Sequence, residues 1–354
     1  MNTITFLLPI SGRFPAGGLK VVYEYANRFA SDGYKVRIVY SSSVFFSSKT
    51  LKGKCKSILR YFYYRIGGYK CYKWFNLNKN ISQILAPSLN YKHVPRSDYY
   101  IATSVETAYY VNDYKISSDN KLYLIQDYEN WNRSDDFVKK SYLFGLKNIV
   151  ISNWLKKIVV NTGGECTLRP NGFDFNYFKK YIPIDERDSL NISMLYHKDM
   201  RKGCKYGIEA LKIVKGEYPN LKATLFGVPE RPKDLPSWIR YYQQPTQHEH
   251  NEIYNKSAIF LAPSIVEGWG LTVGEAMICG AAVVCSDAQG FMEMVTNGIT
   301  GLVSKTRDAI SLANNIIRLI EDTNLRINIA EAGERSIHNY NWENSYDKFK
   351  KLIS

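Results

Sequence analysis

The segment Pro263-Ser264-Ile265-Val266-Glu267-Gly268-Trp269-Gly270-Leu271-Thr272-Val273-Gly274-Glu275-Ala276-Met277 groups the residue types best able to do chemistry together. The apolar run Ala258–Ala262 predicts a strand that ends where this segment begins, and Leu271–Ile278 has helical spacing. A strand, a glycine turn and a helix start aim backbone N–H groups and the positive helix end at one point, which suits a phosphate. Gly268 and Gly270 allow a ligand to come close to the backbone. Glu275, one turn into the helix, could accept hydrogen bonds from a ribose diol, and Glu267, on the turn, could meet a sugar. Two glutamates eight positions apart could equally be solvated surface charge, and spacing alone leaves both readings open.

Such residues need strands that end together. Thr3–Ile10, Lys35–Tyr40, Tyr99–Ser104, Lys121–Gln126 and Lys147–Ile151 read as strands, and Leu19, Val22, Ala26 and Phe29 mark a helix that Gly33 ends. Ser152 is placed to cap a further helix. Asn171-Gly172 and the polar run 185–189 mark a break, after which the pattern restarts with strands at Ile192–Tyr196, Lys222–Phe226 and Ala282–Cys285. Strand–helix alternation of this kind predicts an α/β protein with two Rossmann-like, doubly wound domains. We place the first at 1–180 and the second at 181–335, with a helix over 336–354 that packs back on the first. Two such sheets facing each other would leave a cleft at their strand ends.

A chain of 354 residues suits two domains, and 45% apolar with 23% charged residues is ordinary for a globular protein. With 23 Gly and 12 Pro it is not a fibre or a low-complexity chain. No apolar stretch approaches the roughly 20 residues of a membrane span, and the start lacks the basic region of a signal peptide. The six cysteines show no C-x-x-C spacing, so the expectation is a cytoplasmic protein whose thiols are reduced and buried. The five histidines are scattered, and no metal site is expected.

The net charge of +14 is concentrated. Residues 41–97 hold eleven Lys and Arg, no Asp or Glu, and many aromatics. A solvated basic face, a nucleic-acid site and an anionic membrane surface all fit such a stretch. Ile58, Leu59, Phe62 and Ile66 share a helical face with Lys56 and Arg60 off it, which favours the membrane over nucleic acid. Lys52, Lys54, Lys56, Arg60 and Arg65 are the candidate membrane or acceptor contacts.

The string from Pro263 to Met277 resembles the Glu-x7-Glu motif of retaining glycosyltransferases of family 4, which have the GT-B fold. The segments 280–303, the Gly17-Gly18 turn and Arg169-Pro170-Asn171-Gly172-Phe173-Asp174 extend the resemblance. It implies that Glu267 contacts the transferred sugar and Glu275 the ribose. Backbone around Gly268, Trp269, Gly270, Leu271 and Thr272, together with Gly17, Gly18 and Lys202, would hold the diphosphate. Fixed cations and dipoles there would stabilise the leaving group in place of a metal. Two positions depart from the pattern. His197 stands where the family usually has a phosphate-binding arginine, so either His197 is protonated on a phosphate or Arg201 substitutes. Gln126-Asp127-Tyr128-Glu129 stands near a usual histidine, which makes Asp127 the candidate for the acceptor hydroxyl or donor sugar.

The resemblance implies a metal-independent enzyme at the cytoplasmic face of the membrane. It would move a sugar from a nucleotide-diphosphate sugar, with no cofactor, to a lipid-linked bacterial surface glycan. A nucleotide-sugar epimerase of the same fold and a non-catalytic nucleotide-sugar or membrane-binding module are the alternatives.

Overall fold

The computed structural model describes residues 2–9, 15–41, 51–66 and 74–353. The turn residues Ser11 to Phe14, the bases Lys49, Lys70 and Lys73, and Cys71 lie outside them. The chain divides into two compact units, residues 1–171 with 343–354, and residues 172–342. The first boundary falls within the Asn171-Gly172 turn. A Cβ on Gly172 would stand 2.3 Å from the Trp342 nitrogen, so only glycine fits where the two boundary strands of chain meet.

In the first unit the strands are β1 (Thr3–Leu8), β2 (Lys35–Ser41), β3 (Ser82–Ala86), β4 (Tyr99–Ala102), β5 (Lys121–Ile125), β6 (Lys147–Val150) and β7 (Cys166–Leu168). The helices are α1 (Gly17–Ser31), α2 (Leu51–Ile66), α3 (Val105–Asn112), α4 (Asp135–Ser141) and α5 (Asn153–Asn161). The sheet order is β3-β2-β1-β4-β5-β6-β7, parallel throughout. The order reverses between β1 and β4, the place where doubly wound sheets bind ligands. Ser152 occupies the cap position of α5 but its side chain makes no capping bond, contrary to the sequence expectation.

In the second unit the strands are β8 (Asn191–Leu195), β9 (Lys222–Gly227), β10 (Ile239–Gln243), β11 (Ile259–Ala262), β12 (Ala282–Ser286) and β13 (Leu302–Ser304). The helices are α6 (Cys204–Glu217), α7 (Gln247–Lys256), α8 (Leu271–Ile278), α9 (Ala309–Glu321) and α10 (Thr323–Ile337). The sheet order is β10-β9-β8-β11-β12-β13, again parallel, and reverses between β8 and β11. The residues of β11 and β12 are buried on both faces, as the near-continuous apolar runs require. The core gathers Ile192, Met194, Leu211, Leu225, Ile259, Leu261, Val284 and Leu312.

Last comes α11 (Trp342–Lys350), which from Glu343 onward belongs to the first unit. Phe349 packs edge-on against Tyr25 and Phe29, at centroid distances of 4.7 and 5.6 Å. Lys350 and the Tyr346 hydroxyl both bond Asp32, at 2.6 and 2.7 Å.

The thiols depart in part from expectation. Cys204, Cys279 and Cys285 are buried, but Cys55 is exposed on α2 and Cys166 is half-buried on the short strand β7. An exposed helix has no core to offer its cysteine.

Candidate functional site

The second unit brings most of the candidate residues to the strand ends at its switch point. After β8 the chain runs through His197 into a tight turn, Met200–Lys202, which Asp199 caps by accepting from the Arg201 N–H at 2.9 Å. Gly203 closes the turn with φ +59, and a Cβ there would lie 1.9 Å from the Pro263 carbonyl oxygen. Glycine is therefore required both by conformation and by the close approach of the next loop. That loop is joined by backbone: the Ile265 N–H donates to the Arg201 carbonyl at 2.7 Å. On the other side the Gly290 N–H donates to the Glu267 carbonyl at 3.1 Å. The turn ends at Gly270, with φ +98, which starts α8.

This framework places Lys202 against Glu267. The ammonium lies 2.8 and 2.9 Å from the two carboxylate oxygens, and the Ser264 hydroxyl donates to the second at 3.0 Å. Glu275, on α8, is 4% exposed and accepts from the Tyr254 hydroxyl at 3.2 Å. Burial, and then the Glu275 charge, push the Tyr254 and Tyr177 hydroxyls above their ordinary value, so both remain protonated donors. Burial followed by the same carboxylate pushes the Cys279 thiol up to about 12. Neither glutamate is a solvated surface charge: one is ion-paired and the other is buried.

The remaining bases on the turn are engaged differently. Arg201 is bonded to Asp199 through Nε and Nη2, the latter at 2.6 Å. Burial pushes the Asp199 carboxyl up, but its hydrogen bonds to Arg201 and the arginine charge outweigh that and hold it below its ordinary value. His197 Nδ1 accepts from the Asp199 N–H at 2.9 Å, so the neutral ring carries its proton on Nε2 and presents a donor there. Burial, and next the Lys202 charge, lower the His197 pKa. The neutral ring is thus a donor through Nε2.

Trp269 is buried and lies edge-on to Tyr340, at 5.3 Å between ring centroids, so it shapes the turn from within. Leu271 and Thr272 open α8 and are half-buried. Ser264, Asp199 and Tyr254 escaped the sequence reading. Ser264 stood inside the quoted motif, whereas Tyr254 lies 21 positions from Glu275 on another helix and carried no local signal.

In the first unit Gly17 and Gly18 are exposed at the N-terminus of α1. A Cβ on Gly18 would meet the Gln126 amide at 3.5 Å, so the end of β5 lies beside this turn. Asp127 is half-buried and accepts from the Tyr128 N–H at 2.9 Å. Glu129 accepts from the Val105 N–H at the start of α3, where anionic charge meets the positive helix end. On α2, Lys56 and Arg65 are exposed and Arg65 donates to the Tyr61 hydroxyl. The side chains of Lys52, Lys54 and Arg60 lie outside the described residues. Among the described residues no group of three or more His, Cys, Asp or Glu is placed to hold a metal ion.

Residues 176–336 match the family described as glycosyl transferases group 1. Over 101 residues the chain is 36% identical to N,N'-diacetylbacillosaminyl-diphospho-undecaprenol alpha-1,3-N-acetylgalactosaminyltransferase of Campylobacter jejuni, covering 28% of this chain and 27% of that protein. It is 27% identical over 191 residues to the phosphatidyl-myo-inositol mannosyltransferase of Mycolicibacterium smegmatis, covering 51% of this chain and 49% of that one. With O-antigen chain mannosyltransferase B of Escherichia coli the identity is 33% over 107 residues, covering 30% of this chain and 28% of the relative. The chain thus spans about a quarter to a half of the length of these curated relatives. Among solved structures, Anabaena HepE in complex with UDP-glucose has a TM-score of 0.75 at 16% identity, covering 100% of this chain and 99% of that one. Sucrose-phosphate synthase from Thermosynechococcus elongatus has a TM-score of 0.72 at 16% identity, covering 100% and 98%. The chain has the GT-B fold, and its second unit contains the segment that matches glycosyl transferases group 1.

Proposed function

We propose that this protein is a retaining glycosyltransferase of family 4 that takes a sugar from a nucleotide-diphosphate sugar. The observation that carries the reading is the Lys202–Glu267 pair, held at 2.8 Å on two loops that end at the switch point of a sheet matching glycosyl transferases group 1. Glu267 is assigned to the sugar hydroxyls and Glu275 to the ribose. Lys202, the Nε2–H of His197 and the amides at the start of α8 are assigned to the diphosphate. Gly17, Gly18 and Asp127 of the first unit are assigned to the diphosphate and the acceptor hydroxyl.

The bond between the anomeric carbon and the diphosphate oxygen breaks while the acceptor oxygen joins the same carbon from the same face. The leaving phosphate oxygen takes the acceptor proton, so no side-chain base is invoked. Fixed charge around the diphosphate lowers the barrier, and activity should persist in EDTA.

The acceptor is assigned as a lipid-linked glycan of the bacterial surface. The relatives named for an undecaprenol-linked substrate and for O-antigen support this, as do the exposed apolar residues of α2 beside its bases. The membrane contact is peripheral, on the cytoplasmic face. Among the described residues no helix is long and apolar enough to cross a membrane.

Thermal-shift screening against nucleoside diphosphates and their sugar conjugates tests the donor, because a ligand raises the melting point by mass action. Product analysis with and without a lipid-linked acceptor tests the transfer. Sugar isomerisation without acceptor would instead identify an epimerase, and absence of any nucleotide binding would refute the reading.

A further inference from the structure

We propose that Glu267 and Lys202 form a clasp that makes the site distinguish a sugar nucleotide from the bare nucleoside diphosphate left after transfer. This inference rests on the donor reading above. Lys202 makes two close contacts with Glu267, at 2.8 and 2.9 Å, and the Ser264 hydroxyl fixes the same carboxylate at 3.0 Å. Ser264 is itself anchored, since the buried Ser286 hydroxyl donates to its carbonyl. The backbone bonds from the Ile265 and Val266 N–H groups to the Arg201 carbonyl bring both loops into register, so neither partner has to search for the other.

Lys202 carries one positive charge, and in this arrangement Glu267 neutralises it. The neighbouring Arg201 is bonded to Asp199, and the Nδ1 of His197 is occupied by the Asp199 amide. Lys202 is therefore the cation whose contact with a diphosphate competes with Glu267. Bare nucleoside diphosphate must draw the ammonium away from Glu267 and leave that largely buried carboxylate without its cation, which is unfavourable. A sugar nucleotide brings hydroxyl donors to the same carboxylate. They replace the ammonium on Glu267, and Lys202 swings to the diphosphate at no net loss of hydrogen bonds. When the sugar has passed to the acceptor, Glu267 regains Lys202 and the hold on the product diphosphate weakens. The clasp thus favours donor over product at a point where the two share the same nucleotide.

The test measures UDP, GDP, ADP, CDP and dTDP binding by calorimetry to wild type, Glu267→Gln, Lys202→Gln and the double variant. Glu267→Gln should bind the diphosphate accepted by wild type about three- to tenfold more tightly, the range of partly buried ion pairs. The matching sugar nucleotide should show no such gain. In the Lys202→Gln background, Glu267→Gln should leave diphosphate affinity unchanged, because the competition has lost its object. Unchanged or weaker diphosphate binding by Glu267→Gln would overturn the clasp, as would an equal gain without the lysine. Failure of wild type to bind any of the five would overturn the donor reading itself and the clasp with it. Should Glu267→Gln not fold, Glu267→Ala, which also removes the carboxylate, gives the same readout.

Discussion

Lys202 and His197 lie on one short turn, yet their environments assign them different electrostatic duties. Lys202 is the charged group, and removing one preorganised charge contact typically costs a factor of about one hundred to one thousand in turnover. Lys202→Ala should show that loss in an assay of sugar transfer, together with a lower melting temperature because Glu267 loses its cation. Wild-type turnover in a folded variant would remove the lysine from the diphosphate. His197 titrates below its ordinary value of 6.5, first because it is buried and then because Lys202 is near. The unfolded chain takes up this proton first as the solution is acidified, so stability falls between pH 6.5 and the lower folded pKa. A His197→Gln variant lacks this component. Melting temperatures between about pH 7.5 and about pH 5 should fall more steeply for wild type, and parallel curves would show that the imidazole does not titrate in this way.

Among the elements, the turn after β8 and the loop after β11 act as one device because Gly203 lets their backbones touch. Helix α2 is an element of another kind. Leu59 is 70% and Ile66 85% exposed, so its apolar face does not serve the core of the first unit. Apolar residues alternating with bases fit the interface of an anionic bilayer, where each nearby Lys or Arg contributes roughly 1 kcal/mol. Replacing Lys52, Lys54, Lys56 and Arg60 by Gln should release the protein from vesicles containing anionic lipid, with up to about 4 kcal/mol at stake. Wild-type binding should weaken with salt, since exposed charges are screened over about 8 Å at physiological ionic strength. Transfer to a short soluble acceptor should change little, while transfer to a lipid-linked one should drop. Undiminished sedimentation of the quadruple variant with the vesicles would reduce the stretch to a solvated face.

At the scale of the whole molecule, the chain leaves its first unit at Asn171 and returns to it for α11. The return is held by aromatic packing more than by charge. Phe349 is fully buried against Tyr25 and Phe29, whereas the Lys350–Asp32 pair is partly exposed. Phe349→Ala should cost the first unit about 3–5 kcal/mol, the usual penalty for a cavity of that size. Hydrogen exchange at the amides of β1 and β2 would report it, and a loss below about 1 kcal/mol would show that the helix is dispensable for that core. Lys350→Gln should have a much smaller effect, in keeping with an exposed ion pair.

The sequence by itself determined the strand–helix alternation, the turn before α8, and the amphipathic stretch that became α2. Each of these is written in neighbouring residues: apolar runs, glycines and helical spacing act over one or two turns of chain. β3, β7, β10 and β13 escaped: Ile239–Gln243 is neither an apolar run nor a strict alternation, Ser82–Ala86 has only a short apolar stretch, and the three residues of Cys166–Leu168 and Leu302–Ser304 are too few for a period. Only the tertiary structure decided which charges meet. Lys202 and Glu267 are 65 positions apart, and Tyr254 and Glu275 sit on different helices. Electrostatics acts through space and depends on burial, so the neutral state of His197 and the partner of Lys202 follow from how β8 and β11 lie side by side, a pairing that no local pattern encodes.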